Sequence, residues 1–80
     1  MNLTIKTPEK NVFQGPVEYV NIPSIKGPFQ ILKGHAPIIT QLNEQGTITY
    51  KETNGKVHNI KSKKGITEAN NNKIIILLYE

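Results

Sequence analysis

The sequence predicts an all-β fold, a two-sheet β-sandwich of short antiparallel strands. Six glycines and five prolines punctuate the chain, at intervals of about eight to twelve residues, the rhythm of sandwich and barrel strands. Between them apolar and polar residues alternate over short runs, the period of a half-buried strand. No segment repeats apolar residues at helical spacing; the best window, Ile38 to Glu44, is short and rich in β-branched residues.

The first strand covers Asn2 to Lys6, where Leu3 and Ile5 alternate with polar neighbours, and stops at Thr7-Pro8. Val12-Phe13 is a short strand that Gly15-Pro16 should end. From Val17 to Pro23 strict alternation places Val20 and Ile22 on one face, with Val17 and Tyr19 on the other. Ser24 to Pro28 reads as an exposed loop, and Phe29 to Leu32 as a buried run. Lys33-Gly34-His35-Ala36-Pro37 cannot lie inside a helix, because proline lacks the N–H a helix needs. Ile38, Ile39 and Leu42 lead to a turn at Gln45-Gly46. Thr47–Glu52 and Lys56–Lys61 flank Asn54-Gly55, the pair favoured in a two-residue type I′ hairpin. Ile48 and Tyr50 then share a face with Val57 pairing near them, and His58 points outward. Asn70-Asn71-Asn72 makes another turn, since asparagine tolerates left-handed backbone angles. The last strand, Lys73 to Tyr79, is apolar on both faces and should pair centrally or be covered on both sides.

Composition narrows the function. Eighty residues make one domain, spanning 1–80. The absence of cysteine leaves no disulfide and no Cys/His cluster for a structural metal. The longest apolar run, Ile74 to Leu78, is far short of the roughly 20 residues of a membrane-spanning helix. Lys6, Glu9 and Lys10 interrupt any apolar leader at the N-terminus. The net charge is +4, and every base is lysine and every acid glutamate. That charge could attract nucleic acid or anionic lipid, but the lysines are scattered along the chain, and the densest group is Lys61, Lys63 and Lys64. A single-strand nucleic-acid barrel, the alternative reading, needs a row of stacking aromatics. Phe13, Tyr19, Phe29, Tyr50 and Tyr79 instead fall on five segments, and arginine is absent.

Catalysis needs a nucleophile, acid or base held by partners. His35 and His58 stand apart in sequence, no aspartate is available to orient them, and the isolated glycines fit turns better than a phosphate cradle. No catalytic residue, metal ligand or cofactor is assigned. Lys56 beside the Asn54-Gly55 turn suggests a lipoyl or biotinyl carrier lysine, but its neighbours Gly55 and Val57 do not match either carrier motif.

The motifs, taken in order, resemble a known family. They are Thr7-Pro8-Glu9, Phe13-Gln14-Gly15, Val17-Glu18-Tyr19-Val20, Ile22-Pro23, Gly27, and Phe29-Gln30-Ile31-Leu32-Lys33-Gly34-His35-Ala36-Pro37-Ile38-Ile39, then Gly65 to Lys73. Together they resemble the β-sandwich domain of the epsilon subunit of F-type ATP synthases, over nearly the whole chain. The Ile-Leu-x-Gly-His-Ala-Pro stretch is the most specific element. The resemblance implies a non-catalytic rotor subunit of the central stalk, peripheral on the cytoplasmic face of a bacterial membrane. Such a subunit couples rotation of the c ring to gamma and so to ATP synthesis. Thr7, His35 and Thr40 match positions that face gamma, and His35 would offer gamma a neutral, hydrogen-bonding contact. Lys26, Gly27, Pro28 and Phe29 match the loop that meets the c ring. Pro28 stands where family members often carry an acid, Lys33 replaces a proline, and Lys63-Lys64-Gly65 replaces a Ser-Gly-Gly run. The family's two C-terminal helices have no counterpart in the sequence, so inhibition by helix insertion and nucleotide binding are not expected.

Overall fold

The computed structural model describes residues 1–79. Its eight strands are β1 (Asn2–Lys6), β2 (Asn11–Ser24), β3 (Gly27–Leu32), β4 (Ile38–Gln41), β5 (Thr47–Glu52), β6 (Val57–Lys61), β7 (Gly65–Asn70) and β8 (Lys73–Leu78). Sheet A has the order β4-β7-β8-β1-β2 and sheet B the order β3-β2-β5-β6. The long strand β2 belongs to both. Its first part, Asn11 to Pro16, pairs with β1, and its second, Val17 to Ser24, pairs with β3 and β5.

Gly15-Pro16 therefore does not end a strand; it turns one strand from the first sheet into the second. Proline cannot donate to a ladder, and it sits where pairing changes partner. The corner groups are satisfied from outside: the Val17 N–H donates to the Met1 carbonyl at 2.9 Å, and the Thr53 N–H reaches the Pro16 carbonyl at 3.4 Å. The register then slips between Val17 and Tyr19, a bulge at Glu18. One extra residue reverses the alternation, so Val17 joins Val20 and Ile22 in the core instead of facing the other way.

The core is one cluster shared by both sheets. Leu3 and Ile5 of β1 and Ile74, Ile76 and Leu78 of β8 meet Val20, Ile22, Ile31 and Ile48 from sheet B, all buried. Complete burial of an isoleucine such as Ile76 contributes about 1.5–3 kcal/mol. β8 lies centrally in sheet A, as its apolar composition predicts, between β1 and β7. It runs parallel to β1, an exception to the antiparallel expectation. Two strands from opposite ends of the chain have no hairpin to impose an antiparallel pairing.

Three turns differ from the sequence expectation. Ser24 to Pro28 is no open loop, because Ser24 pairs with Gly27 and leaves only Ile25 and Lys26 between the strands. Gly27 follows at φ +118°. At Asn54-Gly55 only the glycine has a positive φ, and its N–H donates to the Glu52 carbonyl at 2.9 Å. That is a turn centred on Thr53-Asn54 with glycine in the bulge position, not type I′. The two-residue turn with both residues left-handed lies at Asn71 (φ 51°) and Asn72 (φ 61°). On β6, Val57 points out at 48% exposure while His58 turns inward, because Ile48 and Tyr50 pair with Ile60 and His58.

Candidate functional site

The structure sorts the candidate residues into two zones. Thr7, His35 and Thr40 lie on sheet A or at its ends: Thr7 just after β1, His35 just before the edge strand β4, and Thr40 within β4. Lys26, Gly27, Pro28 and Phe29 form the β2–β3 turn and the start of β3 in sheet B.

Each side chain has a definite local role. The half-buried Thr7 hydroxyl accepts from the Glu9 and Lys10 N–H groups at 3.3 and 3.2 Å and fixes the β1–β2 turn. His35 stands on a bend in which Gly34 adopts φ +82° and its own N–H donates to the Leu32 carbonyl at 3.1 Å. Its Nδ1 donates to the Ala36 carbonyl at 2.8 Å, so Nδ1 carries the proton. Nε2 is buried and finds no hydrogen-bond partner among the described residues. The Gly34 N–H also donates to the Asn72 side chain at 3.3 Å, tying this loop to the β7–β8 turn.

Thr40 is buried, and its hydroxyl lies 2.9 Å from that of Ser24, which is also buried. Ser24 accepts in turn from the Lys26 N–H at 3.1 Å, and the Ile25 N–H donates to the Gln41 carbonyl at 3.1 Å. The turn of sheet B is thus braced directly against the edge strand of sheet A. At that turn Lys26, Gly27 and Pro28 are exposed, whereas Phe29 is half-buried and packs against the core.

The sequence reading missed the residue beside Thr40. Ile39 faces outward and is 68% exposed. It is opposite Glu68, which is opposite Ile75; one row along, Ile66 is opposite Leu77. Ile75 and Leu77 are about two-fifths exposed. The outer face of sheet A therefore carries an apolar patch of Ile39, Ile66, Ile75 and Leu77 around one carboxylate, bordered by Thr4 and Lys6 of β1 and Gln41 of β4. Its signal was the run Lys73 to Leu78, whose outward positions are as apolar as its inward ones. Ile25, 53% exposed at the tip of the β2–β3 turn, was also missed.

The outer face of sheet B carries a polar row, while its edge strands expose Leu32 and Val57. Gln30 donates to Asn21 at 2.8 Å, and Thr49 to Asn59 at 2.8 Å. Asn21 and Thr49 are opposite each other, so the row crosses all four strands. Lys51 and Glu18 pair beside it at 3.3 Å. Inside, Tyr50 stacks on His58 at 4.8 Å and meets Phe13 at 4.5 Å, and His58 Nε2 lies 2.6 Å from a Glu52 carboxylate oxygen. Burial, and then the nearby Glu52 charge, push the Tyr50 hydroxyl pKa above its ordinary value. Phe13, Phe29 and Tyr50 pack inward, while Tyr19 lies on sheet B and Tyr79 just past the end of β8.

The family described as ATP synthase, Delta/Epsilon chain, beta-sandwich domain matches residues 1–80. The ATP synthase epsilon chain of Nitratidesulfovibrio vulgaris is 36% identical over 77 residues, covering 96% of this chain and 56% of that protein. That of Desulfitobacterium hafniense is 40% identical over 75 residues, covering 94% and 55%. This chain thus spans a little over half the length of these relatives. Among solved structures, a chain of the Euglena gracilis mitochondrial ATP synthase, described as OSCP/F1/c-ring in rotational state 1, superimposes with a TM-score of 0.87 at 24% identity. The match covers 98% of this chain and 49% of that one. A chain of the Tetrahymena thermophila enzyme, described as central stalk/cring, gives 0.75 at 18% identity, covering 100% and 63%. These two likenesses establish the sandwich fold; with the family match and the bacterial relatives, the chain belongs to the delta/epsilon family of ATP synthase subunits, whose β-sandwich domain it forms.

Proposed function

We propose that this domain is a non-catalytic part of the central stalk of an F-type ATP synthase, at the cytoplasmic face of a bacterial membrane. It couples the c ring to gamma by holding both at once. Gamma takes the outer face and ends of sheet A, around Ile39, Thr7 and His35. The ring takes the β2–β3 turn, around Lys26, Gly27 and Pro28. Thr40 acts from inside, fixing β4 against that turn through Ser24.

The observation that carries this reading is the uncovered apolar patch on sheet A. A central strand with Ile75 and Leu77 facing outward leaves surface that association would bury. The two contact zones sit on one close-packed body, and dense interiors transmit load with little compression.

The test is affinity of the full-length protein for gamma. Ile39→Lys and Ile75→Lys should each change stability by no more than about 0.5–1 kcal/mol, because both sites are exposed. Each should weaken gamma binding at least tenfold, the cost of placing a charge in an apolar contact. Asn59→Lys, on the outer face of sheet B, should leave gamma binding unchanged. Equal binding by all three variants would remove sheet A as the docking face.

A further inference from the structure

Nine asparagines occur in the chain, and Asn54 is the one followed by glycine. Asn54, Gly55 and Lys56 form the tip of the β5–β6 hairpin and are all exposed. The Asn54 side chain is tied down there. Its Oδ1 accepts from the Lys56 N–H at 2.9 Å, a bond that folds the side-chain carbonyl back along the chain with the Gly55 nitrogen enclosed between its two ends. Gly55, at φ +94°, has no side chain to hold the Asn54 carbonyl carbon away. A Cβ built on it would meet no atom within 4 Å, so no other segment crowds the site either.

A backbone nitrogen, the amide carbon of the preceding side chain and a donor at that amide's oxygen are thus held together. Such positioning removes much of the entropy cost of a reaction. We infer that Asn54 is a self-modification site, where the folded hairpin converts asparagine to aspartate and isoaspartate through a cyclic imide. The Gly55 nitrogen gives its proton to solvent hydroxide and bonds to the Asn54 Cγ. Negative charge develops on Oδ1, where the Lys56 N–H already donates and acts as an oxyanion donor. The tetrahedral centre collapses, the Cγ–Nδ2 bond breaks, and Nδ2 takes a proton from solvent and leaves as ammonia. Water then adds to one of the two imide carbonyls. Breaking the new bond at Cγ gives aspartate at position 54. Breaking the original peptide bond gives isoaspartate, whose main chain runs through the side-chain carbon. The sum is one water consumed and one ammonia released.

The fold contains its own control. Asn43 is also exposed, and its Oδ1 accepts from the Gln45 N–H at 2.9 Å, the same local bond. The residue between them is Glu44, whose side chain crowds the nitrogen and whose charge opposes loss of its proton. At the hairpin tip either product removes one unit from the net charge of +4. Isoaspartate also lengthens the main chain between Thr53, whose N–H reaches the Pro16 carbonyl, and Lys56, whose carbonyl takes the Glu52 N–H. The modified tip therefore holds the corner of β2 less firmly.

The test is tryptic mapping of the full chain kept in mildly alkaline buffer, reading by mass and chromatography the peptide that carries position 54. Conversion at Asn54 should proceed in the native state, rise with pH, and leave Asn43 intact over the same span. Lys56→Pro removes the donating N–H and should slow conversion about tenfold, less than a donor contributes in a dry active site, because this one faces water. Glu44→Gly should turn Asn43 into a second converting site, a readout that stands even if Lys56→Pro fails to fold. An Asn54 that stays intact in the native chain while the urea-unfolded chain converts would overturn the inference, since the turn would then be a shield. Lys56→Pro converting as fast as the parent, or Asn43 staying intact in Glu44→Gly, would overturn it as well.

Discussion

The two sheets share a core and differ on their outer faces. Sheet B ties the middle of its surface with its own bonds, Gln30 to Asn21, Thr49 to Asn59 and Lys51 to Glu18, and exposes Leu32 and Val57 only on its two edge strands. Sheet A leaves Ile39, Ile75 and Leu77 facing solvent with no polar partner to make. Both faces follow the same period-two geometry, so strand formation does not require the difference. On sheet B the exposed apolar residues sit apart on opposite edges; on sheet A Ile75 and Leu77 share the central strand beside Ile39 and Ile66.

The sharpest way to break this contrast is to remove what both sheets share. Ile76→Ala empties a fully buried site on β8 and should cost about 2–5 kcal/mol. The urea midpoint should drop steeply, with sheets A and B unfolding in one transition; separate transitions would show that the core is not common to both. A smaller cut severs only the brace between them. Thr40→Val leaves the shape of β4 but removes the hydroxyl that meets Ser24, a loss of about 1–2 kcal/mol. Faster amide exchange at Ile25 and Lys26, with little change in β5 and β6, is the expected signature. Unchanged exchange at the turn would mean the hydroxyl pair carries no load.

The smallest effect is confined to sheet B. Tyr50 has a higher hydroxyl pKa folded than its ordinary value of 10.0. The folded form therefore holds its proton more tightly, and above pH 10.0 the unfolded chain ionises first. This contribution is intact below that pH and is lost as pH rises through the folded value. Urea melts between pH 9 and 11 should show stability falling, and Tyr50→Phe should flatten that fall. The same slope in the variant would place the alkaline sensitivity elsewhere.

Local patterning made most of the strands legible. Leu3 and Ile5 alternate cleanly and are buried, and the central place of β8 follows from its unbroken apolar run. What patterning could not supply was a change of register. The bulge at Glu18 moves Val17 to the core, and no residue type there announces it. His58 turns inward because Ile60, two residues on, outweighs Val57 for the buried side. At the candidate site, the motifs located the β2–β3 turn and the edge strand but not the direction of side chains. Thr40 and its neighbour Ile39 take opposite faces, and only pairing with Thr67 and Glu68 decides which is inside.

Within sheet A, β4 and β7 reach β1 only through β8. A ribosome delivers β8 after every other strand of that sheet. Until then β4 and β7 can pair with each other but have no place beside β1, and Leu3 waits for Ile74 across almost the whole length of the domain. Closure is accordingly a late and long-range event, the slow kind of contact for a chain to find. The patch of Ile75 and Leu77 arrives with that same strand, so the face proposed for gamma exists only once the whole sheet has been made.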